Sequence, residues 1–289
     1  MNERDDQGGK RARLAPWLLL GPGLLFLFLF FFFPLYTLLE MSLSASPTRF
    51  GSPVFTWEWA NYSEALTEYG DQFSRSFLYA GLATLTALAI AYPLAYVIAF
   101  RGGRYKNVLL GLVVVPFFTN FLIRTLAWKT IVGDQGMVVD MLRNIGILGE
   151  HESLLRRPIA VIGGLTYNFL PFMVLPIYVA LEKIDTRLVD AARDLYSNTW
   201  RAFRKIVFPL SLPGVFAGSL LVFIPAAGDF VNAYYLGSTK TTMIGNVVQN
   251  QFLVQVDYPV AAALSFVFMA IVMVIVVLYS KLLGTEDIA

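Results

Sequence analysis

The chain has no cysteine and a single histidine, His151, among its 289 residues. The first absence excludes a disulfide framework, a thiol nucleophile and any Cys-ligated metal. The second excludes a His-rich metal site. A histidine-based hydrolytic triad would have to use a residue set among Glu150, Glu152 and Arg156, where nothing resembles a nucleophile elbow. Charge is scarce too. Charged residues make up 15% of the chain and the net charge is +2, whereas a soluble domain is roughly a quarter charged. So small an excess, with no basic run among aromatics, leaves no case for nucleic acid as a partner. A Gly-x-x-x-x-Gly-Lys-Ser/Thr phosphate loop is also missing: Gly237-Ser238-Thr239-Lys240 lacks the leading glycine and the following helix. The chain cannot cradle ATP by itself. No internal repeat at a fixed period, no low-complexity linker and no alternation of the barrel type is present.

What it has is apolar length. Hydrophobic residues make up 57% of the chain. Trp17 to Leu39 is an apolar run of 23 residues, against the roughly 20 that a helix needs to cross about 30 Å of hydrocarbon. The apolar core of a cleaved signal peptide is about 7–15 residues, so this run reads as a retained first span despite the small residues Ser42 to Ser46. Five more spans are expected near Phe77–Phe100, Val108–Trp128, Pro158–Leu181, Phe208–Phe230 and Pro259–Leu283. The fold class is an all-α membrane protein with six transmembrane helices. Pro34, Pro93, Pro116, Pro171, Pro176 and Pro225 fall inside those spans. Such breaks are tolerated where neighbouring helices or water satisfy the freed backbone groups, which points to a bundle around a cavity.

The loops set the orientation. The N-terminus, the Arg101-to-Lys106 hairpin, the 182–207 loop and the C-terminus hold 14 of the 22 Lys and Arg residues; the alternate loops hold 7, and Arg124 lies inside a span. By the positive-inside rule both termini are cytoplasmic. The outer loop 40–76 carries Glu58, Glu64, Glu68 and Asp71 with Trp57, Trp59 and Tyr62. That mixture suits either a surface for a soluble partner or a short helix lying in the membrane interface.

The cytoplasmic loop around residues 184–213 is not shapeless. Ile184, Leu188, Ala191, Ala192 and Leu195 share one helical face. A second stripe, Trp200, Phe203, Ile206 and Val207, begins after Ser197-Asn198-Thr199. Pro209 and Pro213 are expected to break the junction with the fifth span. A loop that merely joined two spans would not need such a stripe, so this one reads as a docking helix.

The run Asp190-Ala191-Ala192 followed by Ile206-Val207-Phe208-Pro209-Leu210 resembles the EAA loop of ATP-binding-cassette (ABC) importer permeases. Two positions depart from that pattern: Asp190 stands where Glu is usual, and Tyr196 where Gly is usual. Val115-Pro116-Phe117-Phe118-Thr119-Asn120 and Ile224-Pro225-Ala226-Ala227-Gly228-Asp229 resemble segments of the spermidine/putrescine branch. The resemblance runs from the first span to the last. It implies a type I ABC importer permease-like bundle, with a cytoplasmic tail at 1–14, a six-span domain at 15–284, an EAA-type coupling loop near 186–213 and a tail at 285–289. It further implies a cytoplasmic ATPase dimer, a second permease, expected to be a paralogue, and a soluble substrate-binding protein as partners. ATP and Mg would be bound by the ATPase, and no cofactor by this chain. The implied location is the inner membrane, multi-pass, among lipid.

Ionisable groups inside spans are costly and usually face a bundle interior or a water-filled path. Arg124, Asp229 and Glu40 qualify. Arg124 either snorkels to the outer interface or meets a partner inside, Asp229 is too short to snorkel, and Glu40 reads as an interfacial cap. A polyamine path needs carboxylates against lost hydration and aromatic faces for cation–π contact. Asp229 is carried by its motif position. Tyr167, Phe118, Asn120 and Tyr234 join it as candidate path residues by type and depth. Asp190, Ala191, Ala192, Leu195, Tyr196, Pro209 and Pro213 are the candidate ATPase-coupling residues. Gly214 and Gly218 have the spacing that lets helices approach closely. The expected function is a permease subunit importing a small charged solute, most readily a polyamine. Alternatives are an amino-acid-like, phosphonate or iron substrate, or an ion-driven secondary transporter, for which inverted repeats and midplane ion sites are not evident.

Overall fold

A computed structural model describes residues 19–45, 51–185, 187–188, 190 and 198–282. In chain order the elements are α1 (Leu19–Ser42), β1 (Ser44–Ala45), β2 (Val54–Phe55), α2 (Ala60–Glu68), α3 (Gly70–Arg101), α4 (Gly103–Phe118), α5 (Phe121–Ile131), α6 (Met137–Asn144), α7 (Pro158–Glu182), α8 (Trp200–Ala227), α9 (Val231–Leu236), α10 (Ile244–Asn250) and α11 (Tyr258–Leu282). They divide into two compact units, Met1–Thr67 with Gln251–Ala270 and Glu68–Asn250 with Ile271–Ala289.

In the first unit α1 is exposed along almost its whole length, as a helix surrounded by lipid would be. It carries a π turn at Phe28–Phe32, where the Phe33 N–H reaches back to the Phe28 carbonyl. The helix ends in polar contacts. The Asn61 amide donates to the Ser42 and Ser44 carbonyls at 2.9 Å each, and the Tyr62 hydroxyl meets Ser42 Oγ at 2.7 Å. A two-residue antiparallel ladder pairs Ser44 with Phe55 and Ala45 with Val54, a small departure from the all-helical expectation.

The second unit is built on α3, α7 and α8. Ala80, Ala83, Ala87, Ala91 and Ala95 are all fully buried on α3, so the small side chains let the neighbouring backbones come close. Gly214 and Gly218 do the same for α8. A Cβ on Gly214 would lie 2.5 Å from the Pro176 carbonyl oxygen, and one on Gly218 would lie 2.9 Å from Met173 Sδ. The glycine pair therefore serves a contact inside this chain, between α8 and α7.

Side-chain pairs fix the directions. Thr86 of α3 meets Thr166 of α7 at 2.7 Å, and Lys106, just past the end of α3 at the start of α4, meets Glu182 at the end of α7 at 2.5 Å. These two helices therefore run parallel. Tyr92 meets Ser211 at 2.7 Å and Phe77 stacks on Phe223 at 6.2 Å, so α8 runs against them. Parallel α3 and α7 require the chain between them to cross back once, which makes α4 and α5 together one crossing. Among the described residues five helices are long and apolar enough to span, or six with that bent pair counted as one span.

Four expectations change. The third span is not a single rod but bends by 101° between Phe118 and Phe121. Pro116 within a 3₁₀ turn and Asn120 as the new N-cap, accepting from the Leu122 N–H at 2.8 Å, account for the break. The second span starts earlier, at Gly70, and the fifth ends at Ala227 rather than Phe230. Finally, Pro209 and Pro213 do not interrupt the fifth span, which is helical from Trp200 to Ala227. A π turn over Phe203–Val207 takes up the misfit, with the Phe208 N–H bonded five residues back, and places Pro209 in the first turn of the α-helix that follows.

Candidate functional site

Polar residues gather where α5, α7 and α9 meet. Arg124 is only 6% exposed. Its Nη1 donates to the Asn168 carbonyl at 3.4 Å, and its guanidinium carbon lies 5.2 Å from the Phe117 ring and 5.7 Å from the Phe121 ring. This burial overturns the snorkelling alternative. One carbonyl and two aromatic faces, the latter worth roughly 0.5–2 kcal/mol each, offset the cost of a cation in that position.

Asn168 is the hub. It is fully buried, and its amide Nδ2 donates to Thr125 Oγ1 and to Asn232 Oδ1, both at 3.0 Å. The Asn232 backbone N–H donates in turn to Asp229 Oδ1 at 2.7 Å. Two glycines admit this cluster. A Cβ on Gly164 would fall 2.3 Å from Leu236 Cδ1 and 2.7 Å from Asn232 Oδ1, and one on Gly163 would fall 3.1 Å from Trp128 Cζ2. Trp128 stacks on Tyr167 with ring centroids 5.4 Å apart at 12°.

Asp229 is 7% exposed and sits in the three-residue gap after α8, where its carboxylate caps the start of α9. Next to it α10 packs through Gly245, whose Cβ would meet the Gly228 carbonyl oxygen at 2.5 Å. The Asn246 side chain then donates to the Phe230 carbonyl at 2.7 Å. Of the other candidate path residues, Tyr167 reaches this cluster through Trp128, and Phe118 reaches it through Phe117, whose ring lies 6.3 Å away. Phe118 is 82% exposed at the bend, Asn120 caps α5, and Tyr234 is 69% exposed against Tyr235. In the single chain they lie on its surface.

Asn168, Asn232, Thr125 and Trp128 were not anticipated from sequence. An amide in the middle of an apolar helix was the available signal for Asn168, since such a group seeks an interhelical partner. Asn232 lay beyond the expected span and carried no such signal.

At the other end of the bundle, Ile184 is buried, and with Leu188 it lines a cavity of about 620 Å³ whose walls include Pro176, Pro213 and Gly214. The first two members of the stripe thus border this chain's own bundle. Asp190 is helical and exposed. Ala191, Ala192, Leu195 and Tyr196 lie outside the described residues. Asn198 Oδ1 accepts from the Trp200 N–H at 2.8 Å, so the punctuation before the second stripe is a helix cap. Behind it Phe203 packs edge-on to Tyr92 and Tyr96 of α3.

Residues 91–283 match the family model described as binding-protein-dependent transport system inner membrane component. The chain is 39% identical over 269 residues to the spermidine/putrescine transport system permease protein PotB of Haemophilus influenzae, covering 91% of this chain and 94% of that protein. It is 36% identical to PotB of Escherichia coli strain K12, covering 90% and 96%. Among solved structures, a bacterial ABC transporter involved in import of the acidic polysaccharide alginate aligns with a TM-score of 0.75 at 18% identity, covering 97% of this chain and 98% of that one. The MetNI methionine ABC transporter aligns with a TM-score of 0.56 at 17% identity, covering 74% and 93%. Both structural matches speak to the fold.

Proposed function

Because the chain belongs to the binding-protein-dependent transport system inner membrane component family, we propose that it is a permease subunit of an ATP-driven importer for a polyamine of the spermidine or putrescine type. The observation that carries this reading is the identity of 36–39% to the PotB permeases over nine-tenths of the chain.

A polyamine brings a charge of about +2 to +3 on flexible amines. Asp229 supplies a carboxylate at the end of α8, and Tyr167, Phe118 and Tyr234 supply aromatic faces, with Asn120 at the bend. The withdrawal of Arg124 onto the Asn168 carbonyl is compatible with a cation path, because that positive charge is turned away from the surface. A second permease completes the path, and a soluble binding protein delivers the substrate to the outer face.

The end of the bundle carrying the 101–106 hairpin and the 182–207 loop is the cytoplasmic one. There Asp190, Ala191, Ala192, Leu195 and Tyr196 dock on a separate ATPase that binds ATP and Mg. Pro209 and Pro213 lie in the continuous helix Trp200–Ala227, which passes the motion to the bundle. Differential binding of the ATPase to two states of the loop drives alternating access.

Uptake of radiolabelled putrescine and spermidine in cells lacking other polyamine importers tests the reading. Saturable uptake should appear with the complete set of subunits and vanish when this chain is omitted. Uptake of a phosphonate, an amino acid or iron in place of a polyamine would overturn the substrate assignment.

A further inference from the structure

The short helix α6, between the bent third crossing and α7, divides its circumference into three sectors. Val139 is fully buried, Leu142 and Arg143 are partly covered, and all three lie on the side facing this chain. Met137, Met141 and Ile145 lie one turn apart along a second side and are all exposed. Asp140 and Asn144, also exposed, form a third.

This helix cannot roll to hide its methionines. The Arg143 guanidinium donates to the Asp134 carbonyl at 2.8 Å on one flank and to the Glu152 carbonyl at 3.2 Å on the other, which fixes the rotation of α6 about its axis. Gly136 begins the helix so tightly that a Cβ there would fall 2.3 Å from the Ile131 carbonyl oxygen. The start of α6 is therefore held against the end of α5. Its other end leads through a loop to Pro158, where the next span starts.

We infer that α6 lies in the membrane interface, with Met137, Met141 and Ile145 embedded in lipid at the headgroup–acyl boundary and Asp140 and Asn144 turned to water. Two observations select lipid as the occupant. The stripe follows directly on the end of α5, a spanning segment on which Ile123, Leu126 and Ile131 are also exposed. In addition, polar and apolar sectors lie side by side on the outward half of one helix, as a boundary between two solvents requires. The inference depends on membrane insertion alone, not on the solute carried or on which face is cytoplasmic.

The absence of cysteine makes the test direct. Single-cysteine variants Met137→Cys, Met141→Cys, Ile145→Cys, Asp140→Cys and Asn144→Cys of the full chain carry a nitroxide label. Each is reconstituted with its complex into nanodiscs of phosphatidylethanolamine and phosphatidylglycerol. Collision with oxygen, which concentrates in lipid, is compared with collision with a water-soluble nickel chelate. Labels at 137, 141 and 145 should favour oxygen and report depths of about 5–10 Å below the headgroups, while labels at 140 and 144 should favour nickel. Nickel access at all five positions would place α6 in water and overturn the inference. Shielding of 137, 141 and 145 from both reagents would overturn it in favour of a protein partner on that face.

Discussion

At the scale of single residues, the same side chain can be read as a path residue or as a structural one, and Asp229 is the clearest case. Its carboxylate caps α9, yet it is also the acidic group that a cationic solute would seek. The two roles separate by substitution. Asn caps a helix about as well as Asp, so Asp229→Asn should leave thermal stability within about 0.5 kcal/mol of the parent. It should still slow polyamine uptake by roughly tenfold, about 1.4 kcal/mol. Unchanged uptake would confine Asp229 to capping.

Asn168→Leu removes the hub of the cluster. It should cost about 0.6–1.7 kcal/mol, between the mean and the maximum found for interhelical hydrogen bonds in membranes, read as a lowered Tm of the purified protein. Gly164→Val should cost more, about 1–3 kcal/mol, because it inserts atoms where Leu236 and Asn232 already sit. A Gly164→Val protein as stable as the parent would mean that this contact is looser than described.

At the scale of elements, the bend between α4 and α5 depends on local chemistry. Replacing the N-cap Asn120 by Ala should destabilise α5 by about 0.5–2 kcal/mol. Its first-turn amides should then exchange hydrogen faster than those of α7. Much of this level was legible beforehand. Apolar length alone located the spans, since a membrane crossing fixes how many residues a helix needs. The Gly214/Gly218 spacing announced a close helix contact, although not that α7 would be the partner. What spacing could not convey was direction. Pro116 marks a possible break, but a 101° turn needs the Asn120 cap as well as the proline. The opposite error came from Pro209, which looked like a helix breaker. A π turn shifted the hydrogen-bond register and let the helix continue. Such register shifts depend on packing, here of Phe203 against Tyr92 and Tyr96, which sequence period does not encode. The polar cluster was half legible for a similar reason. Arg124 and Asp229 stood out as charges, whereas the amides that gather around them, Asn168 and Asn232, come from two helices far apart in sequence.

At the scale of the whole molecule, the proposed permease draws its energy from a separate ATPase. The small-residue faces of α3 and α8 pack it closely, which suits it to move as a body when pushed at one end. On the function proposed here, the push enters at the loop that follows α7. Ala192→Asp places a charge in the contact proposed for the ATPase, and it should abolish substrate-stimulated ATP hydrolysis while leaving the chain in the membrane. Normal hydrolysis and transport in that variant would remove this loop from the coupling mechanism.

The energy source is the most direct point of attack. Proteoliposomes holding this chain, its partner permease and the ATPase are supplied with binding protein and labelled putrescine outside and with ATP inside. Putrescine should accumulate only when ATP is enclosed, and collapse of the proton and sodium gradients should leave that accumulation unchanged. Uptake that runs without ATP and stops when an ion gradient is dissipated would contradict the account.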